Sequence, residues 1–224
     1  MSSGASARPI GGGSQSAGRR PRHKLLGWAL LSLGLLLVLL FVADLGYASR
    51  REAQLTERFH QQVAALPPPP SATTPVQAGP AVDPHPVDGV DFVIKVSKIG
   101  YEAAVQEGVA DSILAGGPGH YETTAWPGQA GNVGVAAHNV YWIRFNDLTA
   151  GDSVVLQTRW GDYTYRVTGK QIVNPDNREV LAPTSHDQLT LTTCWPLWAG
   201  AFATQRLIIF GEQVDPAPHQ LSGL

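Results

Sequence analysis

Hydrophobic and polar positions divide the chain into stretches of different period. Residues 25–43 form an uninterrupted, uncharged, leucine-dominated run of 19 positions, about what an α-helix needs to cross a hydrocarbon core. Over residues 44–66 the pattern changes: Leu55, Phe59, Val63 and Leu66 recur at three- and four-residue spacings, one apolar stripe on a helix whose role is packing or membrane contact. Four prolines at 67–70 end that helix, and the Pro-, Ala- and Thr-rich residues up to 89 predict an extended linker. At about 3.1 Å per residue such a linker could lift a domain well clear of a lipid surface.

From Val90 the period becomes two. Val90, Phe92, Ile94 and Val96 alternate with Asp91, Val93, Lys95 and Ser97, which predicts a half-buried strand. Further strands are expected over 133–137, 153–158, 163–168, 189–193 and 205–210. The pair flanking Trp160-Gly161 reads as a hairpin. Residues 169–188, with Pro175, Asp176-Asn177 and Pro183, read as a long loop in which Asp176 and Glu179 are solvated. Short strands punctuated by Gly and Pro, with no long amphipathic helix after residue 66, predict an all-β sandwich or barrel over residues 90–213, with 214–224 as a tail.

Charge sharpens this division. Residues 1–24 carry Arg8, Arg19, Arg20, Arg22 and Lys24 without an acid and almost no large apolar residue, so this segment is expected to be disordered and cytoplasmic. Everything beyond the span is then outside the cell. An uncleaved anchor is favoured over a signal peptide because the apolar run is long and Ala43-Asp44-Leu45 is a poor cleavage site. Residues 90–213 hold eight Lys or Arg against twelve Asp or Glu, which leaves no basic footprint for nucleic acid.

The candidate chemistry lies late in the chain. Cys194, the only cysteine, ends the apolar strand 189–193, and Arg206 opens the next strand. In an exported chain a lone cysteine has no intramolecular partner and is either buried or a reactive thiol. His138 ends the strand 133–137. His186, eight residues before Cys194, and His120, in a glycine-rich turn, are the competing imidazoles. Cysteine-based acyl transfer needs a thiolate, a proton donor for the leaving amine and a group facing the oxyanion, roles that a thiol, an imidazole and a guanidinium can fill in turn. With no Cys cluster, no His-x-x-x-His and no regularly spaced acidic loop, neither a metal site nor a cofactor is expected.

The run Thr190-Leu191-Thr192-Thr193-Cys194 followed by Arg206 resembles the TLxTC-to-Arg signature of sortases. Gly117-Pro118-Gly119-His120-Tyr121 and Pro127-Gly128 through Gly131-Asn132 to His138 resemble that family's GPGHY and PGxxGNxxxAxH segments, in the same order. Ala137-His138-Asn139 stands where the family often has Gly-His-Arg. The resemblance, closest to classes D and E, implies a roughly eight-stranded β-barrel with short helices in its loops, preceded by one transmembrane helix. It implies Cys194, His138 and Arg206 as catalytic residues, and His120, Trp195 and Thr193 as substrate-binding ones. It further implies cleavage of an LPxTG-like sorting signal on an exported protein, through a thioester, with a cell-wall precursor or pilin amine as acceptor. Two other readings compete: an L,D-transpeptidase-like peptidoglycan enzyme, whose SxGCxR-like run is absent, and a stalked β-domain that binds a surface partner.

Overall fold

A computed structural model describes residues 22–66 and 85–216. The expected disordered segment 1–24, apart from its last three residues, most of the linker 67–89 and most of the tail 214–224 lie outside the described residues. The first helix, α1 (Arg22–Ala64), contains the apolar run Leu25–Ala43, with mean hydropathy 2.7 and its side chains exposed. The chain separates into two compact units at residues 44 and 45. The second unit holds the last turns of α1 and all the strands.

Eight strands close into a barrel in the order β1-β2-β3-β4-β7-β8-β6-β5, with β5 returning to β1. They are β1 (Phe92–Val96), β2 (Tyr101–Glu107), β3 (Gly119–His120), β4 (Asn132–Ala137), β5 (Ser153–Thr158), β6 (Gly161–Val173), β7 (Gln188–Trp195) and β8 (Gln205–Asp215). A single short α-helix, α2 (Asp111–Leu114), and 3₁₀ turns occupy the connections among the described residues. Most pairs are antiparallel, whereas β2–β3 and β4–β7 are parallel. The interior is filled by Phe92, Ile94, Val96, Val105, Val135, Trp142, Phe145, Leu156, Tyr165, Leu191 and Ile209, among others.

Two expectations change here. β1 is buried on both faces: Val90 and Val93 join Leu55, Phe59 and Ala104 in a second apolar cluster, because the end of α1 lies on the outside of the barrel. β3 is too short to reach Ala104, and that backbone N–H donates instead to Thr56 Oγ1 at 2.9 Å, so the helix covers an otherwise bare strand edge. Arg159 stacks over the Phe59 ring, 5.1 Å from its centroid, and donates to Gln62 Oε1 and the Val90 carbonyl, each at 2.8 Å. Tyr101 donates to Glu52 at 2.8 Å. The apolar stripe read from the sequence is therefore a packing surface for the barrel. Gln62 also donates to Asp88 at 2.8 Å, so residues on the two flanks of the proline-rich linker meet at the barrel. Phe59, fully buried in this cluster, is expected to lose about 3 kcal/mol on change to Ala, read as a lowered melting temperature of the full chain. An unchanged melting temperature would show that the helix contributes nothing to the barrel.

The second change is in the expected loop 169–188. β6 runs on to Val173, pairing Lys170 with Ile209 and Val173 with Arg206 after register shifts at Thr164/Tyr165 and Val167/Gly169. These irregularities break the simple alternation, so strand and loop could not be separated by period alone. The hairpin across Trp160-Gly161 forms as expected, with Thr158 opposite Gly161.

Candidate active site

The parallel pairing of β4 with β7 decides where the chemistry converges. It sets Ala137 opposite Thr193, so His138, the next residue, comes level with Cys194. Antiparallel pairing of β7 with β8 sets Cys194 directly opposite Arg206. Three neighbouring strands, about 4.8 Å apart, thus present imidazole, thiol and guanidinium at one end of the barrel. All three residues are partly exposed, and Cys194 is a free thiol. They line one cavity of ≈ 240 Å³ together with Tyr121, Thr192, Thr193, Asp111 and Leu114. A larger cavity, ≈ 460 Å³, lies where α1 meets the barrel among Arg50, Arg51, Arg58 and Asp88 and holds no nucleophile.

The frame behind these side chains is rigid for identifiable reasons. β4 is buried at every position, as parallel strands covered on both faces are. Asn132 donates to the carbonyls of Val180 and Ala182 and accepts from Thr190 Oγ1 at 2.8 Å, which binds the 178–182 turn to the outer face. A Cβ on Gly134 would press on Leu181, Thr124 and Tyr121 at 3.0 Å each, so only glycine lets that cover approach. Thr193 Oγ1 donates to the Ala137 carbonyl at 2.8 Å, locking the two strand ends that carry Cys194 and His138. Asn139 donates to the Gly200 carbonyl at 3.3 Å and ties the turn after His138 to the loop after Cys194.

Of the expected substrate-binding residues, Thr193 lines the cavity, although its hydroxyl is engaged in the strand lock. His120 does not line it. Its ring is fully buried, edge-on to Phe92 and Trp126, and its Nδ1 faces Glu107 at 3.3 Å and Asp91 at 3.5 Å. Successive residues of an extended chain face opposite sides, so the motif that sends His120 inward turns Tyr121 to the cavity, where its hydroxyl meets Thr192 Oγ1 at 2.9 Å. Sequence reasoning chose the wrong member of that pair. A Cβ at Gly119 would collide with the Gly108 carbonyl, which explains the glycine before the histidine. His186 is exposed and precedes β7, whereas Cys194 is near that strand's far end, about 25 Å away along an extended chain.

Trp195 departs from expectation as well. It packs against the barrel core and is absent from the cavity wall, while Trp198 and Phe202 in the following loop are 82% and 89% exposed. Trp195→Ala is expected to cost roughly 2 kcal/mol of stability, about half the loss for a fully buried ring, with KM for substrate peptides nearly unchanged. A raised KM at constant melting temperature would return the ring to the substrate groove.

The His120 cluster has its own electrostatics. Burial pushes the Asp91 carboxyl up, to about 7 even with His120 beside it. Burial would depress His120, but Asp91 and Glu107 outweigh it and hold the imidazole up at about 9. Glu107 is held below its ordinary value because His120 and Asp91 outweigh its own burial. Asp91 and His120 both bind protons more tightly in the folded state. The stability they contribute is complete below 3.8 and 6.5 respectively and is lost as pH rises through about 7 and about 9. The melting temperature of the chain after treatment with a chelator should therefore fall between about pH 6.5 and about 9, and a rise over that window would contradict these shifts.

With this geometry in place, the comparisons with known proteins identify the family. Residues 94–214 match the sortase domain family model. Sortase D of Bacillus subtilis is 29% identical over 124 residues, covering 54% of this chain and 63% of that protein. Sortase A of Bacillus anthracis is 36% identical over 69 residues, covering 29% and 33%. The chain thus spans less than two thirds of the length of these curated relatives. Among solved structures, a Clostridium perfringens Sortase D5 transpeptidase superimposes with TM-score 0.59 at 22% identity, over 74% of this chain and 99% of that one. A sortase from Actinomyces oris does so with TM-score 0.51 at 28% identity, over 59% and 87%. The closed eight-stranded barrel, the ordered motifs and the family match over more than half the sequence agree: the chain belongs to the sortase family.

Proposed function

We propose that this chain is a membrane-anchored cysteine transpeptidase that cleaves an LPxTG-like sorting signal through a thioester on Cys194. The observation that carries the reading is the register of three adjacent strands, which brings Cys194, His138 and Arg206 to the wall of one cavity. In the first step the Cys194 thiolate attacks the threonine carbonyl carbon of the signal. Arg206 stabilises the oxyanion, and the peptide C–N bond breaks as His138 protonates the departing amine. In the second step an acceptor amine attacks the thioester, His138 takes its proton, and the C–S bond breaks to restore the thiolate. The acceptor is a cell-wall precursor or pilin amine, and the donors are exported proteins with C-terminal sorting signals. The Sortase D relative favours class D or the related class E.

Leu25–Ala43 is read as a single span with the N-terminus cytoplasmic and the barrel outside. A partly exposed Cys194 in a cavity counts against the binding-domain reading, which needs an inert buried thiol. Incubation of the full chain in detergent with a panel of sorting-signal peptides and a primary amine, followed by mass analysis, tests the proposal. A peptide cut after threonine and joined to the amine supports it. Intact peptides across the whole panel count against it.

A further inference from the structure

The geometry points to a zinc-type divalent metal site formed by Asp91, Glu107 and His120, on the barrel wall next to the catalytic cavity. These residues come from three places far apart in sequence: the residue before β1, the end of β2 and β3. That is why spacing rules gave no sign of a metal. Their donor atoms lie within 4.8 Å of one another. His120 and Asp91 are fully buried, and the Glu107 side chain is 25% exposed.

Three observations favour a metal over a simple ion pair. First, His120 Nδ1 lies 3.3 Å from Glu107 Oε2 and 3.5 Å from Asp91 Oδ2. Charge-assisted N–H···O bonds are shorter, about 2.7–2.9 Å, whereas ligands held tetrahedrally at about 2.0–2.2 Å from zinc are separated by about 3.3–3.5 Å. Second, Asp91 is fully buried, yet beyond the long approach of its Oδ2 to His120 Nδ1 at 3.5 Å neither carboxylate oxygen has a hydrogen-bond partner, which leaves the carboxylate aimed at the imidazole and under-satisfied. Third, His120 Nε2 lies 3.0 Å from the Ala125 carbonyl, an acceptor only. Donation to that carbonyl puts a proton on Nε2 in the neutral ring and the imidazolium alike, and Nδ1 is the nitrogen that faces the two carboxylates. Donation of the far ring N–H to a backbone carbonyl is the usual orientation of a metal-bound histidine.

Arg159 lies nearby, donating to the Asp91 backbone carbonyl at 3.0 Å. The Glu107 side chain, 25% exposed, is the side of the cluster open to solvent. A metal here would staple β1, β2 and β3 immediately beside Val109 and Tyr121, which line the catalytic cavity.

The test uses the full chain in detergent, stripped with a chelator, desalted, exposed to Zn²⁺ and desalted again before metal counting. One zinc per chain is expected in the wild type and also in Cys194→Ala, because a thiol is itself a zinc ligand and must be separated from this site. Glu107→Gln and Asp91→Asn should retain less than about a tenth of it. Co²⁺ should give the intense visible absorption of a four-coordinate site in the wild type, lost in Glu107→Gln while its circular dichroism shows it folded. The proposal is overturned if the wild type retains no stoichiometric zinc. It is equally overturned if retention survives Glu107→Gln and Asp91→Asn, or is lost in Cys194→Ala, which would place the metal at the thiol.

Discussion

Cys194→Ala is expected to abolish transfer of a sorting peptide to an amine, with a loss on the order of 10⁴-fold or more, while the melting temperature hardly moves. The two halves of this expectation come from the same placement. The thiol is at the open end of β7, partly exposed to the cavity, so little packing is lost with the sulfur, and partly exposed substitutions commonly stay within about 0.5 kcal/mol. The strand pairings that hold the position, Ala137 with Thr193 and Cys194 with Arg206, are backbone pairings that alanine preserves. Transfer activity retained in the alanine variant would remove Cys194 as nucleophile. A large drop in melting temperature would make it a packing residue instead.

Arg206→Ala is expected to slow transfer by 10² to 10³, about 2.7 to 4 kcal/mol of transition-state stabilisation. Arg206→Lys should recover little of it. The guanidinium sits opposite Cys194 across one strand pair, and its Nη1 reaches the Gln205 carbonyl at 3.2 Å, so one part of a planar fork can be held while another faces the oxyanion. A lysine ammonium is a point charge and cannot do both. His138→Ala should also cripple both steps, since one imidazole gives the proton to the leaving amine and takes it from the acceptor. His186→Ala should leave transfer unchanged, because His186 lies before the far end of β7 from the thiol. Kinetics on all four variants at matched melting temperatures check this, and full activity in Arg206→Lys or loss in His186→Ala would contradict the assignment.

Most of the barrel was legible because its strands obey simple rules. β5 and the first half of β6 alternate cleanly, and β4 and β7 are short, apolar and bounded by turns. What was missed involves contacts between distant segments. Val93 looked like a solvent-facing position in an alternating strand, but the end of α1 covers it with Phe59. Nothing local shows that Gln62 and Asp88, on either side of the proline-rich linker, meet. At the candidate site, Cys194, His138 and Arg206 could be proposed together from the sequence because each lies at or beside the end of a strand. The error at His120 is one of alternation: the two-residue β3 is too short to show which of His120 and Tyr121 faces inward. Trp195 was misplaced for the same reason, since β7 extends one residue past the cysteine and carries the ring to the opposite side.

The central claim is that a thioester forms on Cys194 next to His138 and Arg206. It is tested most directly by intact-mass analysis of the full chain mixed with a sorting peptide in the absence of an amine acceptor. A mass increase equal to the peptide segment ending at threonine, removed by hydroxylamine and mapped by fragmentation to Cys194, is the predicted result. An adduct on any other residue, or cleaved peptide with no hydroxylamine-sensitive adduct at any time, would contradict it.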